Sequence, residues 1–479
     1  MVLHLYNSLG RKLSPFEPLR EGEVRMYTCG PTVWNYAHIG NFRTFVFEDV
    51  LRRYLIFSGY KVKQVKNLTD VEDRIIMGIK RSGKGLKELT DFYSEAFMAD
   101  LDSLNIQRAE AYPRATENID EIVDLIEVLV RKGYAYRGDD GSYYYDISKF
   151  DRYGELSGIR KAELKTGARV ANDHYEKEEA RDFALWKAWD EGDGEVFWET
   201  RLGRGRPGWH IECSAMAMKY LGESFDIHTG GKDLRFPHHE NEIAQSEAAT
   251  GERFVRYWLH ADFLHVKGEE MHKSVGNVVT FRELTEKGWN PRAIRLFLIS
   301  AHYRDALNLT DESLQQATAN IARLDAFARR LAELVGGGTG EEGGGKGDGD
   351  DRGVSQSASF LRDFAAAMDD DLNVPEALAS LYRFLRAINS LIDAEGLSRR
   401  GRDAVSEALQ RADSVLGVMR PEAAPSELSA HVEALVRERD QARRRRDYRR
   451  ADEIRAQLKE EGIAIEDGPG GTTSWKRAA

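Results

Sequence analysis

One stretch, Val24 to Tyr54, leaves this chain few ways to fold. It opens with Val24-Arg25-Met26-Tyr27-Thr28-Cys29, rich in β-branched and aromatic residues, and Gly30-Pro31 stops it. That pattern predicts a buried strand. From Phe42 the apolar positions Phe42, Phe45, Val46, Val50, Tyr54 and Leu55 keep helical spacing, which predicts a helix to about Phe57. Strand, turn, then a helix with glycine near its start presents backbone N–H groups and the positive end of the helix dipole to a phosphate. Cys29 at the strand end and His38 at the helix start bring a candidate metal ligand and a candidate phosphate partner to one crevice.

Val62 to Val65 reads as a second strand. Strand, helix, strand at this length is a βαβ unit, so a parallel sheet is expected. Asn67-Leu68-Thr69-Asp70 would lie at a strand C-terminus, where open α/β sheets place ligands. Ile119 to Val130 is helical in pattern, and Gly138 to Tyr145 reads as a hairpin turning at Asp139-Asp140-Gly141. The sheet is expected to resume with Trp209 to Met216 and with Phe225 to His228. The latter enters Thr229-Gly230-Gly231-Lys232-Asp233, where backbone can approach a nucleotide closely. Tyr257 to Val266 reads as a last strand. Leu314 to Leu334 and Phe360 to Leu391 are helical in pattern. The glycine-rich, acidic segment 336–353 between them reads as a flexible linker, and Pro421 to Pro425 marks a further boundary.

At 479 residues, two to four domains are expected. No run of about 18 apolar residues exists, so no membrane span is expected. The first residues lack a basic region followed by an apolar core, which points to a cytoplasmic protein. Only two cysteines, Cys29 and Cys213, exclude a disulfide framework. Such a pair also packs well as two small hydrophobes. The net charge of −11 argues against nucleic acid as a property of the whole chain. Arg437 to Arg455, however, holds nine arginines against five acids, a local basic stretch suited to phosphate contacts.

Two constellations carry chemistry. In Phe236-Pro237-His238-His239-Glu240-Asn241-Glu242, His238 and Glu242 are four apart and share one helix face. With Cys29 and Cys213 they make a donor set that suits zinc, with His239 a competing ligand. The second is phosphate-like: His38, and Lys273 within Met271-His272-Lys273-Ser274-Val275-Gly276-Asn277.

His38-Ile39-Gly40-Asn41 resembles the HIGH signature of class I aminoacyl-tRNA synthetases, and Met271-His272-Lys273-Ser274 resembles their KMSKS signature. The blocks Thr28 to Val33, Gly208 to Met216 and Phe236 to Glu242, with the ending Glu466 to Thr473, resemble the cysteinyl-tRNA synthetase family over essentially the whole chain. The resemblance implies an α/β fold: a Rossmann-like catalytic domain (1–115 and 205–265) with a connective insertion (116–204), a signature-loop region (266–310), an all-α helical domain (311–420) and a C-terminal anticodon-binding domain (421–479). It implies zinc held by Cys29, Cys213, His238 and Glu242, gripping the substrate cysteine as thiolate and rejecting serine without editing. Thr69, Trp209 and His228 would shape the amino-acid pocket. His38, Asn41 and Lys273 would be catalytic. Gly40, Gly230, Gly231, Asp233 and Lys273 would hold ATP, accompanied by Mg2+. Arg443, Asp452, Arg455, Asp467 and Trp475 would read the anticodon. The implied partners are L-cysteine, ATP and tRNA(Cys), for a monomeric enzyme.

Asn41 replaces the last histidine of the first signature, its amide still able to donate. Glu270 and His272 replace the first lysine and the first serine of the second, removing one cation. Two other readings compete: an ATP-dependent cysteine ligase of thiol-cofactor biosynthesis, which should lack the C-terminal module, and an inactive zinc-stabilised RNA-binding protein.

Overall fold

A hairpin of β1 (His4–Asn7) and β2 (Lys12–Pro15) leads into β3 (Glu23–Thr28), α1 (Ile39–Phe57) and β4 (Lys61–Lys66). β3 and β4 run parallel, from Glu23 opposite Lys61 to Thr28 opposite Lys66, so the expected βαβ unit is present. α2 (Asp73–Ser82), α3 (Leu86–Ser103) and α4 (Ile119–Arg131) follow. Next come β5 (Ala135–Arg137), β6 (Tyr143–Tyr145), β7 (Arg169–Val170), β8 (Asp182–Ala188), β9 (Trp198–Thr200) and β10 (Gly203–Pro207). They form an antiparallel sheet in the order β5-β6-β8-β10-β9, with β7 parallel to β8.

After α5 (Trp209–Leu221) the parallel sheet resumes with β11 (Phe225–Gly231), α6 (His238–Thr250) and β12 (Val255–Ala261), in the order β12-β11-β3-β4. A small sheet of β13 (Leu264–Val266), β14 (Glu269–Glu270) and β15 (Leu307–Leu309) encloses α7 (Phe281–Glu286) and α8 (Pro291–Leu298) in the chain. Four helices follow: α9 (Asp311–Gly336), α10 (Arg352–Asp369), α11 (Val374–Ala394) and α12 (Arg399–Leu416).

This computed structural model describes residues 2–159, 169–170, 181–271, 276–336, 352–394 and 397–419, then 432, 435–436, 438–439, 442–443, 445, 447–461, 463–467 and 473–477. The chain divides into two compact units, 1–419 and 420–479. In the second, α13 (Tyr448–Glu460) and the hairpin of β16 (Ile463–Asp467) and β17 (Thr473–Arg477) accompany a small core of Val432, Leu435, Val436, Ile454, Leu458 and Ile463.

The parallel sheet is buried on both faces, as βαβ crossovers require. Along β3, Val24 and Met26 join the core shared with α1 and the helices α8 to α12. Tyr27 and then Cys29 point into the other core, with Ile211 and Cys213 of α5 and Ile243 of α6. Alternation therefore delivers Cys29 to the face covered by α5 and α6.

Three expected elements differ. Trp209 to Met216 is helix, not strand: His210 to Met216 are all buried, so no polar alternation or stripe reports the period, and the 13-residue length decides. Tyr257 to Val266 is two strands in two sheets, β12 and β13. Phe360 to Leu391 is two helices, broken where Asp371 and Leu372 take φ of 54° and 55°. The Asp371 carboxylate there accepts from Tyr6 N, Tyr303 Oη and Arg304 Nε, each at 2.7 Å. Residues 337–351 of the expected linker lie outside the described residues. No described helix is long and apolar enough to cross a membrane.

Candidate active site

Thr28 ends β3, and Cys29 is the first residue beyond it. The loop that follows is held by backbone and by one amide side chain. Asn67 Oδ1 accepts from Gly30 N at 2.9 Å, while its Nδ2 donates to Thr69 Oγ1 at 3.2 Å. Val33 N donates to Thr69 O, and Thr69 N to Pro31 O. A Cβ on Gly30 would lie 1.7 Å from Asn67 O, so this close approach requires glycine.

The α5 and α6 helices supply the other donors. Cys213 projects from α5, and His238 and Glu242 from the first turns of α6. The ligand atoms of Cys29, Cys213, His238 and Glu242 all lie within 4.8 Å of one another, and all four residues are buried. His238 Nε2 is 3.1 Å from Glu242 Oε1, and Cys29 Sγ is 4.0 Å from the same oxygen. A second group shares two members: Cys29, His228, His239 and Glu242 also lie within 4.8 Å of one another. His239 Nε2 is 3.4 Å from Cys29 Sγ, and His228 Nε2 is 2.9 Å from Glu242 Oε2.

The surroundings orient these rings. His238 Nδ1 meets His210 Nδ1 at 3.0 Å, and its ring stacks on Trp209 at 4.2 Å. His239 Nδ1 meets His260 Nε2 at 2.8 Å, and His260 Nδ1 meets Ser8 Oγ at 2.8 Å. Such outer partners fix ring orientation and ligand basicity. Burial pushes both thiols above their ordinary range, and for Cys29 the neighbouring Cys213 and Glu242 add to it. Burial pushes His239 well below its ordinary value, and His260 down to about 3. Two buried thiols, an imidazole and a carboxylate converging on one point fit a thiophilic divalent cation, which compensates buried negative donors.

His38 caps α1. Its Nδ1 accepts from Asn41 N at 3.2 Å, and Asn41 Oδ1 accepts from His38 N at 3.1 Å. The Asn41 amide oxygen therefore braces the helix start. With Nδ1 accepting, the neutral ring carries its proton on Nε2. Ile39 N donates to Val279 O at 2.8 Å, tying this start to the segment after the second signature. Lys273 itself lies outside the described residues.

Gly230 and Gly231 end β11, and Asp233 is in the following turn. A Cβ on Gly230 would lie 2.8 Å from His239 Cε1 and 2.9 Å from Leu234 Cδ1, so this loop abuts His239 of α6. Thr69 and His228 are buried and Trp209 is half-buried. His228 stacks on Trp258 at 4.5 Å. In the second unit, Arg443, Asp452 and Arg455 are exposed, and Asp452 and Arg455 share one face of α13. Asp467 pairs with Thr473 and Trp475 with Ile465 in the β16–β17 hairpin.

The residue-level reading overlooked His210 and His260. His210 is three residues before Cys213, one helical turn, but a strand reading of that segment hides the shared face.

Comparison with known proteins bears on the whole length. A family model described as the class I (C) tRNA synthetase catalytic domain matches residues 15–319. A DALR domain matches 363–420, and a cysteinyl-tRNA ligase anticodon binding domain matches 426–475. A cysteine–tRNA ligase of Koribacter versatilis is 45% identical, covering 100% of both chains. The chain belongs to the cysteine–tRNA ligase family. The Brachyspira hyodysenteriae cysteine–tRNA ligase is also 45% identical, over 98% of each chain. The match to an anticodon-binding domain disfavours the cysteine-ligase reading, which should lack that module, and full-length likeness to cysteine–tRNA ligases lends no support to the inactive RNA-binding one. Among solved structures, a Mycobacterium tuberculosis methionyl-tRNA synthetase with methionyl-adenylate superposes with TM-score 0.60 at 15% identity, covering 83% of this chain and 90% of that one. A LeuRS–tRNA–LeuAMS complex from Agrobacterium radiobacter K84 gives TM-score 0.60 at 11% identity, covering 85% of each chain. At such identities the likeness speaks to the fold alone.

Proposed function

We propose that this member of the cysteine–tRNA ligase family activates L-cysteine with ATP and Mg2+ to cysteinyl-adenylate and transfers it to tRNA(Cys), acting as a cytoplasmic monomer. Cys29, Cys213, His238 and Glu242 would hold a zinc ion, which would supply a Lewis-acidic centre that favours sulfur over serine's hydroxyl. The observation carrying this reading is the convergence of those four buried donors at the C-terminal edge of the parallel sheet, beside the Gly230-Gly231 loop.

Trp209 and His228 orient His238 and Glu242, and Thr69 holds the Cys29 to Val33 loop that borders the substrate. The nucleoside lies along Gly230, Gly231 and Asp233, and Gly40 admits the triphosphate to the helix start. The cysteine carboxylate attacks the α-phosphorus in line, and pyrophosphate leaves. His38 offers its Nε2–H to the phosphate oxygens, and Lys273 offers a cation as charge builds on the leaving group. Arg443, Asp452, Arg455, Asp467 and Trp475 read the anticodon by donating to, accepting from or stacking on bases.

Cysteine-dependent ATP–pyrophosphate exchange followed by tRNA(Cys) charging tests this. Exchange with cysteine and none with serine is expected. Exchange with neither amino acid refutes the activity, and exchange without tRNA charging refutes the transfer.

A further inference from the structure

We propose that the pocket holds a second, overlapping seat for its metal ion, made by Cys29, His228, His239 and Glu242; the inference rests on the reading that zinc binds here. The donor atoms of these four buried residues lie within 4.8 Å of one another, as those of the first set do. The two seats share Cys29 and Glu242. In the second, His228 and His239 stand in place of Cys213 and His238. Glu242 faces both seats, with Oε1 3.1 Å from His238 Nε2 and Oε2 2.9 Å from His228 Nε2. Cys29 Sγ lies 3.4 Å from His239 Nε2 and 4.0 Å from Glu242 Oε1.

Both rings of the second seat have the outer partners a ligating imidazole needs. Such a ring offers one nitrogen lone pair to the ion and donates its other N–H away from it. His228 Nδ1 is 3.3 Å from Thr229 O, so a proton there donates to the carbonyl and leaves Nε2 for the ion. His239 Nδ1 meets His260 Nε2 at 2.8 Å, and His260 Nδ1 meets Ser8 Oγ at 2.8 Å. With each Nδ1–H donating outwards along that chain, His239 Nε2 also keeps a lone pair facing Cys29. One thiolate, two imidazoles and a carboxylate form a tetrahedral set that zinc accepts. His238 and His239 are neighbours on α6, so the ion changes seats while Cys29 and Glu242 stay bound. One ion fits the pair of seats and two do not. Cys29, Cys213 and Glu242 bring three negative charges when they ligate, too few to offset two divalent cations among buried residues.

The test is zinc content and zinc-edge X-ray absorption of the full chain for wild type, His239→Gln, Cys213→Ser and the double variant, with thermal melting to check that each is folded. Wild type and His239→Gln are expected to hold one zinc with two sulfur neighbours. Cys213→Ser is expected to keep one zinc with a single sulfur, the ion now in the second seat. The double variant is expected to bind zinc at least about tenfold more weakly than Cys213→Ser in competition with a chelator, the floor set by losing an outer partner of a metal-bound ring. His238→Gln, with and without His239→Gln, dismantles the first seat by another route and serves if Cys213→Ser does not fold; zinc retained by the single variant and weakened in the double is again expected. A folded chain that loses zinc with the first seat alone, or a double variant that holds it as well as the single one, would overturn the second seat. Two zinc ions per wild-type chain would overturn it too. Wild type without zinc would overturn the parent reading, whereas wild type with one zinc and two sulfurs leaves that reading intact whatever the variants do.

Discussion

At the scale of single residues, Gly30 and Lys273 test different links. Gly30 lets the strand end press against Asn67, whose side chain then holds the loop bearing Cys29. Gly30→Ala forces the two backbones apart and should destabilise by about 1–3 kcal/mol, the range for overpacking. The readouts are a lowered denaturation midpoint and weakened zinc retention against a chelator; unchanged values for both would show that the contact is idle. For Lys273, charge stabilisation is the role proposed from its place in the second signature. Lys273→Ala should raise the adenylation barrier by about 2–4 kcal/mol, slowing pyrophosphate exchange about thirty- to a thousandfold. Exchange at the wild-type rate would remove that role. Asn41 shows how a departure from a signature is accommodated: its amide oxygen accepts from His38 N, so the substituted residue still serves the helix start.

At the scale of elements, α1 is the pivot. It buries Arg43, Glu48, Asp49, Arg52 and Arg53 along with its apolar stripe. Asp49 accepts from Arg53 Nε at 2.7 Å and from Arg295 Nη2 at 2.5 Å, joining α1 to α8. Arg295 Nε donates to Leu416 O at 2.8 Å, extending the link to α12. Asp49→Ala leaves two buried guanidinium groups without their carboxylate and should cost about 3–5 kcal/mol in denaturant unfolding, the scale of a broken buried pair. A loss below about 1 kcal/mol would show that Asp49 contributes little. The sequence announced α1, β3 and β4 because period and punctuation agree there. It did not announce that the charges of α1 are buried, since partners such as Arg295 for Asp49, Glu110 for Arg52 and the Leu298 carbonyl for Arg43 come from elements far along the chain. It misread α5 for a related reason: with both faces buried, hydrophobic periodicity disappears. The four donors were legible as types and spacing, but that they meet depends on alternation along β3 and on the covering helices. The partners His210 and His260 surfaced only in three dimensions.

At the scale of the whole molecule, the buried donor set should make stability depend on pH and metal together. Burial raises the Cys29 and Cys213 thiols in the metal-free fold, while the unfolded chain ionises in the ordinary thiol range. Below that range the unfolded chain binds no fewer protons, and the metal-free fold keeps its full stability. As pH rises through it, the unfolded chain loses protons that the fold retains, so stability falls. With metal bound the sulfurs are already deprotonated and that loss is absent. The melting-temperature gap between zinc-loaded and chelator-treated protein should therefore widen from neutral to alkaline pH; a gap that stays constant would count against this.

The central claim, that zinc in this donor set grips the amino acid by sulfur, is tested most directly by X-ray absorption at the zinc edge during titration with substrate. Stoichiometric zinc with two sulfur neighbours is expected in the free enzyme, with one further sulfur on adding cysteine and no change with serine. A shell unchanged by cysteine, in protein that nonetheless forms cysteinyl-adenylate, would contradict it.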